Sequence, residues 1–156
     1  MAENKPSLLP VVNASPLIFL SKGGYLDLLQ LAGEQVLVPE PVAEEIRRCG
    51  TGDVTAQALA GAPWLLVTAS PPVPALIQAW DLGPGESAVL ALAFARPGTE
   101  VIIDDRAGRR CAGSLGIPVR GKLGWVLTAK RSGRIEAARP VVERLLETGM
   151  YLSQQV

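Results

Sequence analysis

Five short apolar runs alternate with helical patterns along this 156-residue chain, and that alternation limits the fold more than any other feature. Leu9–Asn13, Gln35–Val38, Trp64–Thr68, Glu100–Asp104 and Ile117–Arg120 are rich in Val, Leu and Ile and read as strands. Helical stretches lie between them: Ser15 to about Lys22, Tyr25–Leu31, Val42–Arg48, Asp53–Ala60, Leu76–Trp80, Pro84–Ala95 and Arg106–Leu115. Two more, Leu123–Arg131 and Pro140–Glu147, follow the last strand. Strands separated by helices pair in parallel, and such a sheet needs cover on both faces. The expectation is an α/β protein, a three-layer α/β/α sandwich around a mostly parallel sheet of about five strands. No internal repeat or long linker divides residues 1–156, so a single domain is expected.

Local signals refine the elements. Ser15-Pro16 reads as an N-cap followed by proline at the first helical position. Pro39 and Pro41 bracket the turn into the helix from Val42. Pro84–Ala95 is apolar almost all the way round, which predicts a buried central helix.

Composition removes whole classes of chemistry. The chain has no histidine, which excludes a Ser-His-Asp triad, an imidazole base and histidine-ligated zinc. Cys49 and Cys111 stand far apart, in no CxxC motif, and are read as small buried residues rather than nucleophiles. Any metal chemistry must therefore rest on oxygen ligands, which suit Mg²⁺ or Mn²⁺. No run approaches the ~20 apolar residues of a membrane span, and the amino terminus lacks the form of a secretory signal; a cytoplasmic protein is expected.

Charge is divided unevenly. Residues 1–105 hold 12 acidic and 5 basic side chains, a net of −7, whereas residues 106–156 hold 3 and 10, a net of +7. A basic half hints at a polyanionic partner, although helix faces that the fold mixes together give the same count.

The acids have a pattern of their own. In an open parallel sheet, strand carboxyl ends and the amino termini of the following helices share one rim, where ligands bind. Asn13 ends the first strand, Glu44 and Glu45 lie one turn into the helix after the second, and Glu86 opens the central helix. Val101-Ile102-Ile103 ends in Asp104 and Asp105, followed by Arg106, Arg109 and Arg110. Each acid also has a structural explanation, since the helix dipole favours Glu86 and Asp105 can cap the helix from Arg106. Strand alternation puts Asp104 in line with Ile102, predicting Asp104 in the cleft and Asp105 as the cap. Glu45 is preferred over Glu44.

Taken in order, Val-Val-Asn-Ala-Ser-Pro-Leu-Ile, Val-Pro-Glu-Pro-Val-Ala-Glu-Glu-Ile, Leu-Gly-Pro-Gly-Glu-Ser-Ala and Ile-Ile-Asp-Asp-Arg resemble a PIN domain. The tail from Leu115 to Gly133 is similar to a prokaryotic branch of PIN-like proteins described as predicted nucleic-acid-binding. The resemblance spans about residues 10–152. It implies a Mg²⁺- or Mn²⁺-dependent ribonuclease, often the toxin of a toxin–antitoxin pair, with RNA as substrate, a cognate antitoxin as partner and homodimerisation. The apolar Leu26 and Leu29 are candidates for a dimer interface.

Carried over residue by residue, the family's acids fall on Glu45, Glu86 and Asp104, with Asp105 beside them. Its first aspartate falls on Asn13, which can ligate through its amide oxygen but brings no charge. Ser15 matches a hydroxyl residue that the family often places beside the site. The metal would activate a water and stabilise the phosphorane-like transition state. Arg106, Arg109, Arg110, Arg120 and Lys122 are candidate contacts to the RNA backbone. The competing reading is a binding module in which Asn13 has abolished cleavage.

Other α/β enzymes fit less well. Asn13-Ala14-Ser15 lacks both carboxylates of a HAD-type Asp-x-Asp, and a receiver domain needs its acidic pair after the first strand. Gly83-Pro84-Gly85-Glu86-Ser87-Ala88 fits GxGxxA, yet no strand precedes it and Pro84 removes a phosphate-binding N–H.

Overall fold

The computed structural model describes residues 8–120, together with Lys130, Arg131, Gly133, Arg139, Pro140, Val141, Glu143, Arg144 and Glu147. The expected helices Leu123–Arg131 and Pro140–Glu147 therefore lie largely outside the described residues, and Lys122 lies wholly outside them. Five parallel strands form one sheet: β1 (Val11–Val12), β2 (Val36–Pro39), β3 (Leu65–Thr68), β4 (Val101–Ile102) and β5 (Val119–Arg120), in the order β3-β2-β1-β4-β5. Helices flank it: α1 (Ala14–Gly23), α2 (Glu40–Arg47), α3 (Val54–Gly61), α4 (Ala75–Gln78), α5 (Pro84–Phe94) and α6 (Arg106–Ser114). This is the three-layer α/β/α arrangement expected.

The strand order decides where a site can form. From β1 the chain winds outward through β2 to β3, then returns to the other side of β1 for β4 and β5. The direction of winding reverses between β1 and β4, so the connections leaving these two strands diverge and open a crevice at their carboxyl ends. Register fixes the crevice tightly: Val11 and Val12 pair with Val101 and Ile102, and the Asn13 amide donates to the Ile102 carbonyl at 3.0 Å.

The inner strands are buried on both faces, as their continuous β-branched character requires; Val11, Val12, Val36, Val38, Val101 and Ile102 are all fully buried. Helix α5 is buried from Ser87 to Ala93, in keeping with its apolar circumference, and packs on α2 and against β1, β2 and β4. Glu86 therefore starts a helix that cannot shift without disturbing the core.

Several local expectations differ from what folds. Helix α1 begins at Ala14 with Asn13, not Ser15, at the N-cap; Pro16 is accommodated in the first turn, where an N–H has no helical partner. Helix α2 starts at Glu40 directly after β2, so Pro39 and Pro41 bracket no separate turn. Leu26–Leu31 forms a 3-10 turn, in which Leu29 is fully buried and Leu26 packs partly against the core. Leu29 is consequently not available for a dimer interface. Cys111 is buried as expected, but Cys49 is exposed, because it follows the last turn of α2 where the chain leaves the core. Among the described residues no helix is long and apolar enough to cross a membrane.

Candidate functional site

Two hollows lie near the acids, one at the carboxyl ends of β1 and β2 and one along α6 beside β5. The first, about 240 Å³, is lined by Asn13, Ala14, Ser15, Pro41, Glu44, Glu45, Arg48, Gly83, Pro84, Gly85 and Glu86. It is acidic. The second, about 740 Å³, is lined by Asp104, Arg106, Arg109, Arg110, Gly113, Ile117 and Val119, and it is basic.

Each acid-hollow residue is placed by its element. Asn13 leaves β1 in extended conformation and occupies the N-cap of α1, yet its side chain makes no capping hydrogen bond. The residue is nearly buried. Glu45 reaches in from the middle of α2, whose Val42, Ala43 and Ile46 are buried. Both side chains converge over Gly85 in the first turn of α5: a Cβ there would lie 3.1 Å from Glu45 Oε2 and 3.4 Å from Asn13 Oδ1. The missing methyl at position 85 thus leaves room for the two oxygens to approach α5.

Glu86 closes the hollow on the side of α6. A Cβ on Gly108 would lie 3.2 Å from Glu86 Oε2, so α6 also carries a glycine where the carboxylate passes. The Glu86 pKa rises from its ordinary 4.5 to about 7. Burial is the largest cause, followed by the charge of Asp105, a hydrogen bond with Asp105, and the charge of Glu45. Neighbouring carboxylates thus add to a shift that burial begins.

Asp105 is the member of the acidic pair that faces this group. Its side chain accepts from the Gly108 amide at 3.0 Å, capping α6 as expected, and the same geometry sets it beside Glu86. The two duties are one constraint, because the first turn of α6 lies against Glu86. Asp104, which strand alternation predicted for this cleft, lines the basic hollow, with Oδ2 shielded from solvent, and Asp105 lines neither hollow. β4 ends at Ile102, so strand alternation does not set the direction of the Asp104 side chain.

The remaining predicted contacts divide. Ser15 is exposed at the acid hollow. Arg106, Arg109 and Arg110 share the basic hollow, and among the described residues none of them forms an ion pair. Arg120 pairs with Glu100 at 3.3 Å and lines neither hollow. Arg48 lines the acid hollow and was not selected from the sequence, although its position one helical turn after Glu44 and Glu45 was the available signal.

Asn13, Glu45, Glu86 and Asp105 offer only oxygen donors, the set preferred by Mg²⁺ and Mn²⁺. The raised pKa of Glu86 marks a place where added positive charge is favourable. Among the described residues no group of three or more histidine, cysteine, aspartate or glutamate side chains is arranged to hold a metal ion. The fit is one of donor chemistry and convergence, not of a closed ligand set.

No curated protein matches the chain. A family described as a PIN domain matches residues 9–156, which takes in every strand, both hollows and all the acids above. On a match of that extent, with a five-stranded parallel sheet beneath it, the chain belongs to the PIN-domain family.

Proposed function

We propose that this protein is a ribonuclease that hydrolyses RNA phosphodiester bonds with Mg²⁺ or Mn²⁺. The observation that carries the reading is the acid hollow itself. Glu45 and Glu86 line it from separate helices, Asp105 is hydrogen-bonded to Glu86 beside it, and Glu86 is pushed up to about 7. Burial of Glu86, with the neighbouring carboxylates adding to it, makes its charge costly, and a cation offsets that cost. PIN domains generally use divalent metals, and their fold is of nuclease type.

Glu45, Glu86 and Asp105 would hold the ion, with the Asn13 amide oxygen as a neutral fourth donor. When bound, the ion supplies Lewis-acid chemistry: it lowers the pKa of a water and stabilises the negative charge that develops on the phosphoryl oxygens. The chain's own part is preorganisation. Core packing of α5 fixes Glu86, the α6 cap fixes Asp105, and the β1–β4 register fixes Asn13. Arg106, Arg109 and Arg110 hold the strand by its phosphates. Asp104 sits among them as the acid of the RNA-binding surface. On the family resemblance we extend the proposal to a toxin of a toxin–antitoxin pair, with an antitoxin covering the acid hollow, and to self-association.

Asn13 favours a second reading, a binding module that no longer cleaves, since it removes one charge from the donor set. Cleavage of single-stranded RNA in Mn²⁺, in EDTA, and by Glu86→Gln separates the two. The nuclease reading expects cleavage in Mn²⁺ that vanishes in EDTA and in the variant. Cleavage that survives Glu86→Gln, or none in Mn²⁺, rejects it; RNA binding without cleavage establishes the binding module.

A further inference from the structure

We propose that Arg48 is a phosphate-binding residue of the acid hollow, holding the RNA backbone from α2 while the arginines of α6 hold it from the second hollow. This rests on the nucleic-acid part of the reading above and not on cleavage. Arg48 is exposed and is the one cation among the described residues that lines the acid hollow. It stands one helical turn after Glu44 and Glu45, the spacing at which an arginine ordinarily pairs with a glutamate. It pairs with neither. The ion pairs among the described residues are Lys22–Asp53, Arg47–Glu40, Arg120–Glu100 and Arg139–Glu143. The adjacent Arg47 is tied to Glu40 at 2.8 Å, and neither lines the hollow.

A guanidinium beside several carboxylates yet bonded to none of them keeps its donors for another acceptor. A phosphate is the acceptor whose geometry matches the guanidinium fork. The carboxylates would repel an incoming phosphate, so a cation at the mouth of the hollow lowers the barrier to its entry. Arg48 and the α6 arginines line separate hollows, with Glu86 and Asp105 meeting on the α6 side of the first. A substrate that touches both has phosphates on either side of the acids, which describes a continuous single strand and not a mononucleotide.

The test is binding of labelled single-stranded RNA in EDTA, read by fluorescence anisotropy across a salt series, for wild type, Arg48→Ala, Arg48→Lys and Arg47→Ala. Loss of one phosphate contact lowers the slope of log affinity against log salt by about 0.7 for a single strand. Arg48→Ala should show that change and roughly tenfold weaker binding at low salt, as for a lost charged hydrogen bond. Arg48→Lys should keep the slope, and Arg47→Ala should match wild type. The proposal is overturned if Arg48→Ala, with an unchanged melting temperature, keeps the wild-type slope, if Arg47→Ala loses as much, or if wild type binds no RNA. Wild type that binds with the expected Arg48 effect but never cleaves in Mn²⁺ defeats the nuclease reading and supports this one.

Discussion

Replacing Glu86 by glutamine should stabilise the metal-free protein, and only at neutral to alkaline pH. Glu86 titrates near 7 when folded, above its ordinary 4.5, so folding favours its protonated form. Its stabilising contribution is whole below pH 4.5 and is lost as the pH rises through 7. At about 1.36 kcal/mol per pH unit the shift would correspond to ~3 kcal/mol for a fully desolvated group. Glu86 is half-buried, and solvent screening brings the expected figure to ~1–2 kcal/mol. Glutamine has the shape of the protonated acid and cannot ionise, so it escapes the loss. For a chain of this size that becomes a rise of about 3–6 °C in Tm.

The assay is thermal denaturation in EDTA at about pH 4 and pH 8, comparing the variant with wild type at each pH so that other titrations cancel. The two should melt together at pH 4, and the variant should melt higher at pH 8. Added Mn²⁺ should then raise wild type more than the variant, which lacks one donor. An equal difference at both pH values, or a variant that melts lower at pH 8 in EDTA, refutes the argument that the ionised form of Glu86 destabilises the fold.

Three further outcomes follow from the same geometry. Asp105→Asn keeps an N-cap while removing the charge, so it should fold normally and lose Mn²⁺-dependent RNA cleavage, whereas Asp104→Ala should chiefly weaken RNA binding; the reverse pattern in paired cleavage and anisotropy measurements would return the catalytic role to Asp104. Asn13→Asp adds a fourth carboxylate to the proposed donor set and should lower Tm in EDTA at pH 8 while tightening Mn²⁺ binding, as read by calorimetry. Gly85→Ala should leave stability within about 1 kcal/mol, because better helix propensity offsets crowding. Its Cβ would press on Glu45 Oε2 at 3.1 Å, so cleavage should fall more than stability does.

The elements themselves were legible because their signals are local. β-branched runs, a helix apolar on all sides from Ser87 to Ala93, and Asp105 ahead of Arg106 each declare a structure through neighbours a few residues away. Family membership was legible for a related reason: four short motifs in a fixed order survive as text. Element ends were less so. Asn13 displaced Ser15 as the N-cap of α1 because its amide is pinned to Ile102 of a strand some ninety residues later.

The sequence alone determined that acids would lie at the carboxyl ends of parallel strands, that any metal would have to be held by oxygen, and that Asn13, Glu45 and Glu86 would share a rim. Tertiary structure decided which member of the Asp104–Asp105 pair meets Glu86, that Leu29 is core rather than interface, and that Arg48 belongs to the acid hollow. A side chain's direction beyond the end of a strand depends on what packs against the next helix, and here that is α5 meeting the first turn of α6. Alternation is a property of a strand, and β4 stops before the carboxylates begin.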